Sequence, residues 1–247
     1  MMYLTDRGVE TNASIVEYDI RKANINLMRY YNLYDKNKLN LLENLPKDKR
    51  ERSVGLILRK EPELSKQLER AFNDIVYEFM NANNIDKDDD VISIKKDAVF
   101  VCNKLCQHTT FGPVEFIPKN KYHAFLSIDR YEFYIGDENV DVKGLGDSAQ
   151  YHKNGICLLV KDLINTVETT FEPKQINDYL AKMCKLYKTK SLEVDMYREF
   201  NSNSKFKCYI DGRDLYMDNI GYEYLDKYAD ISFNYVNIIL PLVRLFM

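Results

Sequence analysis

Tryptophan is missing from the 247 residues, histidine occurs three times, and glycine and proline number nine and six. So little glycine and proline excludes collagen-like, low-complexity and proline-rich linker sequence. Three histidines leave little for imidazole-rich metal sites, and none can be paired with a cysteine from the sequence. The five cysteines, Cys102, Cys106, Cys157, Cys184 and Cys208, are an odd number without a regular framework. That pattern excludes a disulfide scaffold and fits a reducing compartment. The N-terminus lacks the apolar core of a signal peptide, and no apolar run approaches the length of a membrane span. A soluble, cytoplasmic protein without a membrane partner is expected. The formal charge of −3 supplies no global attraction to nucleic acid, so any such binding needs a local basic surface.

What is present is apolar and aromatic: 45% hydrophobic residues, 19 tyrosines and 12 phenylalanines, enough to bury the core of one substantial domain or two small ones. The stretch from Ser14 to Tyr31 changes period midway. It alternates like a strand up to Asp19, and from Ile20 to about residue 32 Ala23, Leu27 and Tyr30 follow a helix face. Asp19 thus ends a strand where a helix begins, a place at which a sheet presents polar groups to a ligand. A small helix is expected before Pro46, and a new one with Pro46 in its first turn. A longer helix is expected over 63–83, with Leu64, Leu68, Phe72, Ile75, Val76 and Phe79 on one stripe.

Val91 to Val101 is a strongly β run interrupted by Asp97. Short strands at 114–118, 122–128 and 131–135 suggest an antiparallel meander, closed by a turn at the glycines of 140–146. The period becomes helical at 151–167, 174–187 and 192–200, and an apolar stretch spans 231–246. These elements predict an α+β fold with two parts: an antiparallel-sheet domain over 1–146 with helices on one face, and a mostly helical part over 147–247.

Two carboxylates on neighbouring strands, Asp19 and Asp97, would suit one or two Mg²⁺ ions completed by nucleotide phosphates. Two ions about 3.5–4 Å apart serve nucleotidyl transfer. Several segments resemble the palm of template-dependent DNA polymerases of families A and B. Val16-Glu-Tyr-Asp19-Ile-Arg-Lys-Ala-Asn24-Ile-Asn-Leu looks like the first palm motif, and Ser93-Ile-Lys-Lys-Asp97-Ala-Val-Phe-Val like the strand motif with the second catalytic Asp. Lys49-Arg50-Glu-Arg52-Ser-Val-Gly55 stands where the fingers helix would be, within a short insertion at about 33–90. Phe116-Ile-Pro-Lys119-Asn-Lys121-Tyr122 and Asp141-Val-Lys143-Gly144 are similar to the lysine, tyrosine, lysine-glycine order of family B.

The resemblance implies a minimal DNA polymerase, or a split one with another polymerase subunit as partner, that transfers a nucleotide from a dNTP to a primer 3′-hydroxyl on a primer–template. In it Asp19 and Asp97 hold two Mg²⁺, Lys49, Arg50 and Arg52 meet triphosphate, and Asn24 lines the sugar pocket. Lys119, Lys121 and Lys143 contact the primer–template backbone, and the last hundred residues form a thumb-like part. Two positions depart from the pattern. Asn24 replaces a bulky or acidic side chain, and Asp97 is followed by Ala98 and Val99 where a second acid is usual.

Other readings stay open. The same residues fit a non-catalytic binding or assembly protein with a degenerate palm, or a metal-dependent nuclease. The basic residues from Lys47 to Lys60 equally suit a solvated helix face, and Lys119, Lys121 and Lys143 ordinary edge-strand lysines. Cys102, Cys106, His108 and His123 are a conceivable zinc set, with a buried thiol as the plainer reading of Cys102.

Overall fold

The period change at Asp19 is realised as a strand, a tight turn and a short helix, and the rest of the first unit is laid around them. The computed structural model describes residues 2–128, 131–144, 153–170, 172–189, 207–210, 213–216 and 241. The chain begins with β1 (Tyr3–Leu4), β2 (Val9–Glu10), β3 (Ile15–Ile20) and α1 (Ala23–Tyr30). Three helices follow, α2 (Lys36–Glu43), α3 (Lys47–Lys60) and α4 (Pro62–Ala82). Then come β4 (Val91–Ile94), β5 (Ala98–Cys102), β6 (Thr110–Phe111), β7 (Val114–Tyr122), β8 (Ala124–Ile128), β9 (Tyr131–Ile135) and β10 (Val140–Lys143). Helices α5 (Lys153–Thr170) and α6 (Pro173–Lys188) and the hairpin strands β11 (Lys207–Ile210) and β12 (Arg213–Tyr216) complete them. Every strand pairing among the described residues is antiparallel, and the fold is α+β.

The chain divides into two compact units, 1–7 with 13–122, and 8–12 with 123–247. The division falls at 122/123, ahead of the boundary expected near 146, because β8 to β10 pair with one another and with β2 rather than with the first sheet.

In the first unit a six-stranded sheet has the order β1-β4-β5-β3-β7-β6. Val16, Tyr18 and Ile20 of β3, Val99 and Val101 of β5 and Phe116 of β7 share one core with the apolar stripe of α4 and with Leu27 and Met28 of α1. All six apolar positions expected on the α4 stripe are buried. Asparagines stop the helices as sequence physics dictates. Asn32 and Asn84 both adopt φ 52°, and the amides of Leu33 and Ile85 return to the carbonyls of Met28 and Met80. At the start of α2, Asp35 caps the Lys38 amide at 2.9 Å. Pro46 immediately precedes α3 instead of lying in its first turn.

Two strand expectations change. The run from Val91 to Val101 is a hairpin, β4 and β5, with Asp97 in its turn and the Lys95 amide donating to the Ala98 carbonyl at 2.8 Å. Strand β7 continues through Pro118 to Tyr122. It pairs with β6 only at Val114 and Glu115, so Pro118, which lacks an N–H, lies where that side of the strand is an edge.

In the second unit the sheet order is β10-β9-β8-β2; the expected three-strand meander is divided, because 114–118 belongs to β7 of the first sheet, and β10 pairs with β9 ahead of Gly144. Ala124, Leu126 and Ile128 of β8 and Tyr131, Phe133 and Ile135 of β9 pack on the apolar faces of α5 and α6. The hairpin β11–β12 lies within the part expected to be mostly helical. The expected helix at 192–200 and nearly all of the 231–246 stretch lie outside the described residues. No described helix is long and apolar enough to cross a membrane.

Candidate functional site

Asp19 sits at the penultimate position of β3, paired in register with Ala98 of β5 and Ile117 of β7. One residue on, the Ile20 amide donates to the Asp97 carbonyl at 2.8 Å, which fastens the β4–β5 turn beside the end of β3. Two acids remote in sequence are thereby brought to one place, and both line a cleft of about 620 Å³. That volume is in the range of small-molecule sites.

The turn after Asp19 is held under strain. Lys22 precedes α1 with φ 48° and ψ 42°, the left-handed region that a lysine rarely enters. Its ammonium donates to Glu43 Oε1 at 2.8 Å, and Arg29 binds Glu43 Oε2 at 2.8 Å. The Asn26 amide adds a bond of 2.7 Å to the Arg21 carbonyl. These contacts tie the turn to the end of α2, and strain persists where surrounding bonds over-determine it.

The hydrogen bonds from Lys22 and then Arg29 lower the Glu43 carboxyl from 4.5 to about 2. A depressed carboxylate contributes stability that is present above its unfolded value and lost as pH falls through the folded one. Glu43→Gln is therefore expected to destabilise the protein at neutral pH by about 1–3 kcal/mol. Denaturation curves of wild type and variant should converge as the pH falls from 4.5 towards 2. A gap of constant size down to the lower pH would show that the carboxylate's charge is not what holds the turn.

The opposite wall of the cleft is α3. Val54 is its buried residue, and Lys47, Arg50 and Glu51 share that face at helical spacing and line the cleft. Lys49 and Arg52 lie roughly 140–160° round the helix from Val54. Both are exposed, and neither is among the lining residues. Of the three residues expected to meet triphosphate, Arg50 lines the cleft, with Lys47 beside it, and Lys49 and Arg52 do not. The signal was in the sequence, since Val54 as the inward residue selects positions three, four and seven before it.

Five cationic side chains and three carboxylates line the cleft, and two of the cations, Arg21 and Lys22, are paired with Glu115 and Glu43 just outside it. The first turns of α1 and α3 also border it, and helix N-termini favour anions. Asn24, in the first turn of α1, lines the cleft as expected, and its Oδ1 is buried without a donor. A ligand hydroxyl or amine would satisfy such an acceptor.

Lys119 reaches the cleft, with its ammonium 3.3 Å from Asp19 Oδ2. Asp19 foremost, and more weakly Glu17 and Asp97, hold the lysine more basic than usual. Glu17, which sequence reasoning passed over, is buried two residues before Asp19 on the same face. It accepts from Asn120 Nδ2 at 2.5 Å and from the Tyr122 hydroxyl at 3.3 Å. Lys121 pairs with Val16, on the other face of the sheet, and lines a separate hollow. Lys143 lies on β10 in the second unit, opposite Glu132.

The donor set suits Mg²⁺, which takes one or two carboxylates and completes its shell with water and substrate phosphates. Asp19 and Asp97 would supply the carboxylates, and Arg50 and Lys47 line the same cleft. Among the described residues no three of His, Cys, Asp and Glu converge on one point. Cys102 and Cys106 are buried, and burial pushes the Cys106 thiol up, away from the thiolate a metal requires. His108 is exposed, while His123 belongs to the second unit and lies 3.1 Å from Glu168.

A protein family described as Bacteriophage PBS1 gene 130 protein matches the chain over residues 7–247. No curated protein matches it.

Proposed function

The chain belongs to the Bacteriophage PBS1 gene 130 protein family, and we propose that it is a nucleotidyltransferase resembling a minimal or split DNA polymerase. It takes a nucleoside triphosphate into the cleft beside β3, and a primer 3′-hydroxyl attacks the α-phosphate, breaking the α–β anhydride and releasing pyrophosphate and a proton. The observation that carries this reading is convergence. Asp19, Asn24, Arg50, Asp97 and Lys119, from five separate segments, line one cleft.

Each residue has a task set by its chemistry. Asp19 and Asp97 would hold Mg²⁺. Arg50 and Lys47 neutralise the β- and γ-phosphates, the guanidinium by two-point contact. Asn24 borders the sugar, and its buried Oδ1 accepts from a hydroxyl there. When bound, divalent cations of such a site activate the attacking oxygen and stabilise the leaving one.

Calorimetry with a dNTP in magnesium tests the reading, with EDTA as control and a labelled primer for transfer. Magnesium-dependent binding and primer extension are expected; absence of binding by the folded protein refutes it. Arg50→Ala should weaken the nucleotide about tenfold to a hundredfold, the loss of one charged hydrogen-bonding group. Arg52→Ala, on the far side of α3, should leave affinity within about twofold. Equal losses in the two would mean that α3 presents a different face.

A second reading has one observation in its favour. The β4–β5 turn brings two lysines, Lys95 and Lys96, with its single acid, and Lys119 already compensates Asp19. A palm-like protein that binds nucleotide for assembly without transfer fits that balance, and would give heat in calorimetry but no extended primer.

A further inference from the structure

A β-bulge decides what Asp19 meets. Between the pairs Glu17–Asn120 and Tyr18–Pro118, β7 carries one residue more than β3, and the extra residue is Lys119. In unbroken register Lys119 would stand opposite Tyr18, whose side chain belongs to the apolar core. A bulge frees one residue from the ladder and re-aims its side chain. Here it delivers the ammonium to Asp19, 3.3 Å from Oδ2, at the mouth of the cleft that Asp97 also lines. Pro118 favours the irregularity because it has no N–H to give to a ladder.

We propose that Lys119 is an exchangeable counter-ion, which holds the cation position at Asp19 until a divalent cation and a triphosphate arrive together. The inference rests on the nucleotide reading of the cleft. A dication approaching alone meets a carboxylate already compensated and a positive charge that has nowhere better to go. A triphosphate changes this by offering the ammonium several anionic oxygens in exchange for Asp19. Lysine suits the exchange because its charge is a compact point on a flexible stem. The side chain is 56% exposed, so water does not trap it against Asp19. By linkage, whatever triphosphate does for cation affinity the cation does equally for triphosphate. The cleft therefore takes the two together more tightly than either alone, and free cation only weakly.

The test measures Mn²⁺ binding by electron paramagnetic resonance, with and without inorganic triphosphate, in wild type, Lys119→Met and Lys119→Arg. Lys119→Met should bind Mn²⁺ alone about twofold to fivefold more tightly, the scale of one half-exposed charge beside another. It should also lose most of the enhancement that triphosphate gives in wild type. Lys119→Arg keeps the charge and grips a carboxylate by two points, so it should bind Mn²⁺ alone no better than wild type. Unchanged Mn²⁺ affinity in Lys119→Met, in a protein that still takes Mn²⁺ with triphosphate, overturns the counter-ion role and leaves the nucleotide site standing. Failure of all three folded proteins to bind Mn²⁺ or triphosphate overturns both.

Discussion

Asp19→Asn and Asp97→Asn proteins are each expected to fold normally and to lose magnesium-dependent dNTP binding by more than about a hundredfold, with primer extension abolished. The floor is set by outer-shell partners of metal ligands, whose removal alone typically costs about 10–100-fold. A direct carboxylate ligand should cost more. Asparagine keeps the shape and removes the charge, so packing is not the variable. Folding should survive because Asp97 lies in an exposed turn and the Asp19 side chain is 31% exposed, paired with the flexible Lys119. Removing such a surface pair changes stability by about 0–1 kcal/mol. Circular dichroism and a urea midpoint check the fold, and calorimetry and a primer assay check the site. Full activity in either variant, or in the corresponding alanine proteins, would remove the two acids from the chemistry.

Phe79→Ala is expected to cost the first unit about 3–5 kcal/mol, the range for a buried phenylalanine replaced by alanine. Phe79 of α4 is fully buried between two rings. The Phe116 ring stacks on it at 4.1 Å and 17°, and the Tyr18 ring lies 5.4 Å away, tilted by 51°. Tyr18 cannot easily follow into the vacated space, because its hydroxyl accepts the Cys106 amide at 3.2 Å. The void therefore persists and its lining loses dispersion contacts outright. Tyr18 immediately precedes Asp19, so nucleotide binding should weaken along with stability. Urea denaturation reads the loss as a lowered midpoint at constant slope. Tyr77→Ala, on the exposed side of the same helix at 55%, should change stability by less than about 1 kcal/mol. Equal effects at the two positions would contradict the orientation of α4.

The candidate site was unevenly legible. Asp19 could be found because a strand period and a helix period meet there, and both are local properties of the side-chain order. Asp97 could be picked out as an acid within a β run, but the hairpin it turns and its fastening to Ile20 belong to pairing across the sheet. Arg50 and Arg52 were indistinguishable as charges and separable as positions, once Val54 is taken as the inward residue. Glu17 read as one more polar position in an alternating strand, because its partners Asn120 and Tyr122 arrive from a strand a hundred residues on.

By itself the sequence determined the stripe of α4, the change from strand to helix beside Asp19 and the α+β class. Each follows from short-range sterics and from a hydrophobic period that neighbouring residues carry among themselves. Only tertiary structure decided that β3 lies between β5 and β7, that β8 begins a second unit, and that Lys119 leaves the ladder to meet Asp19. Those outcomes depend on which distant strands share hydrogen bonds and in what register. A shift of one residue there moves a side chain to the other face without changing any local pattern.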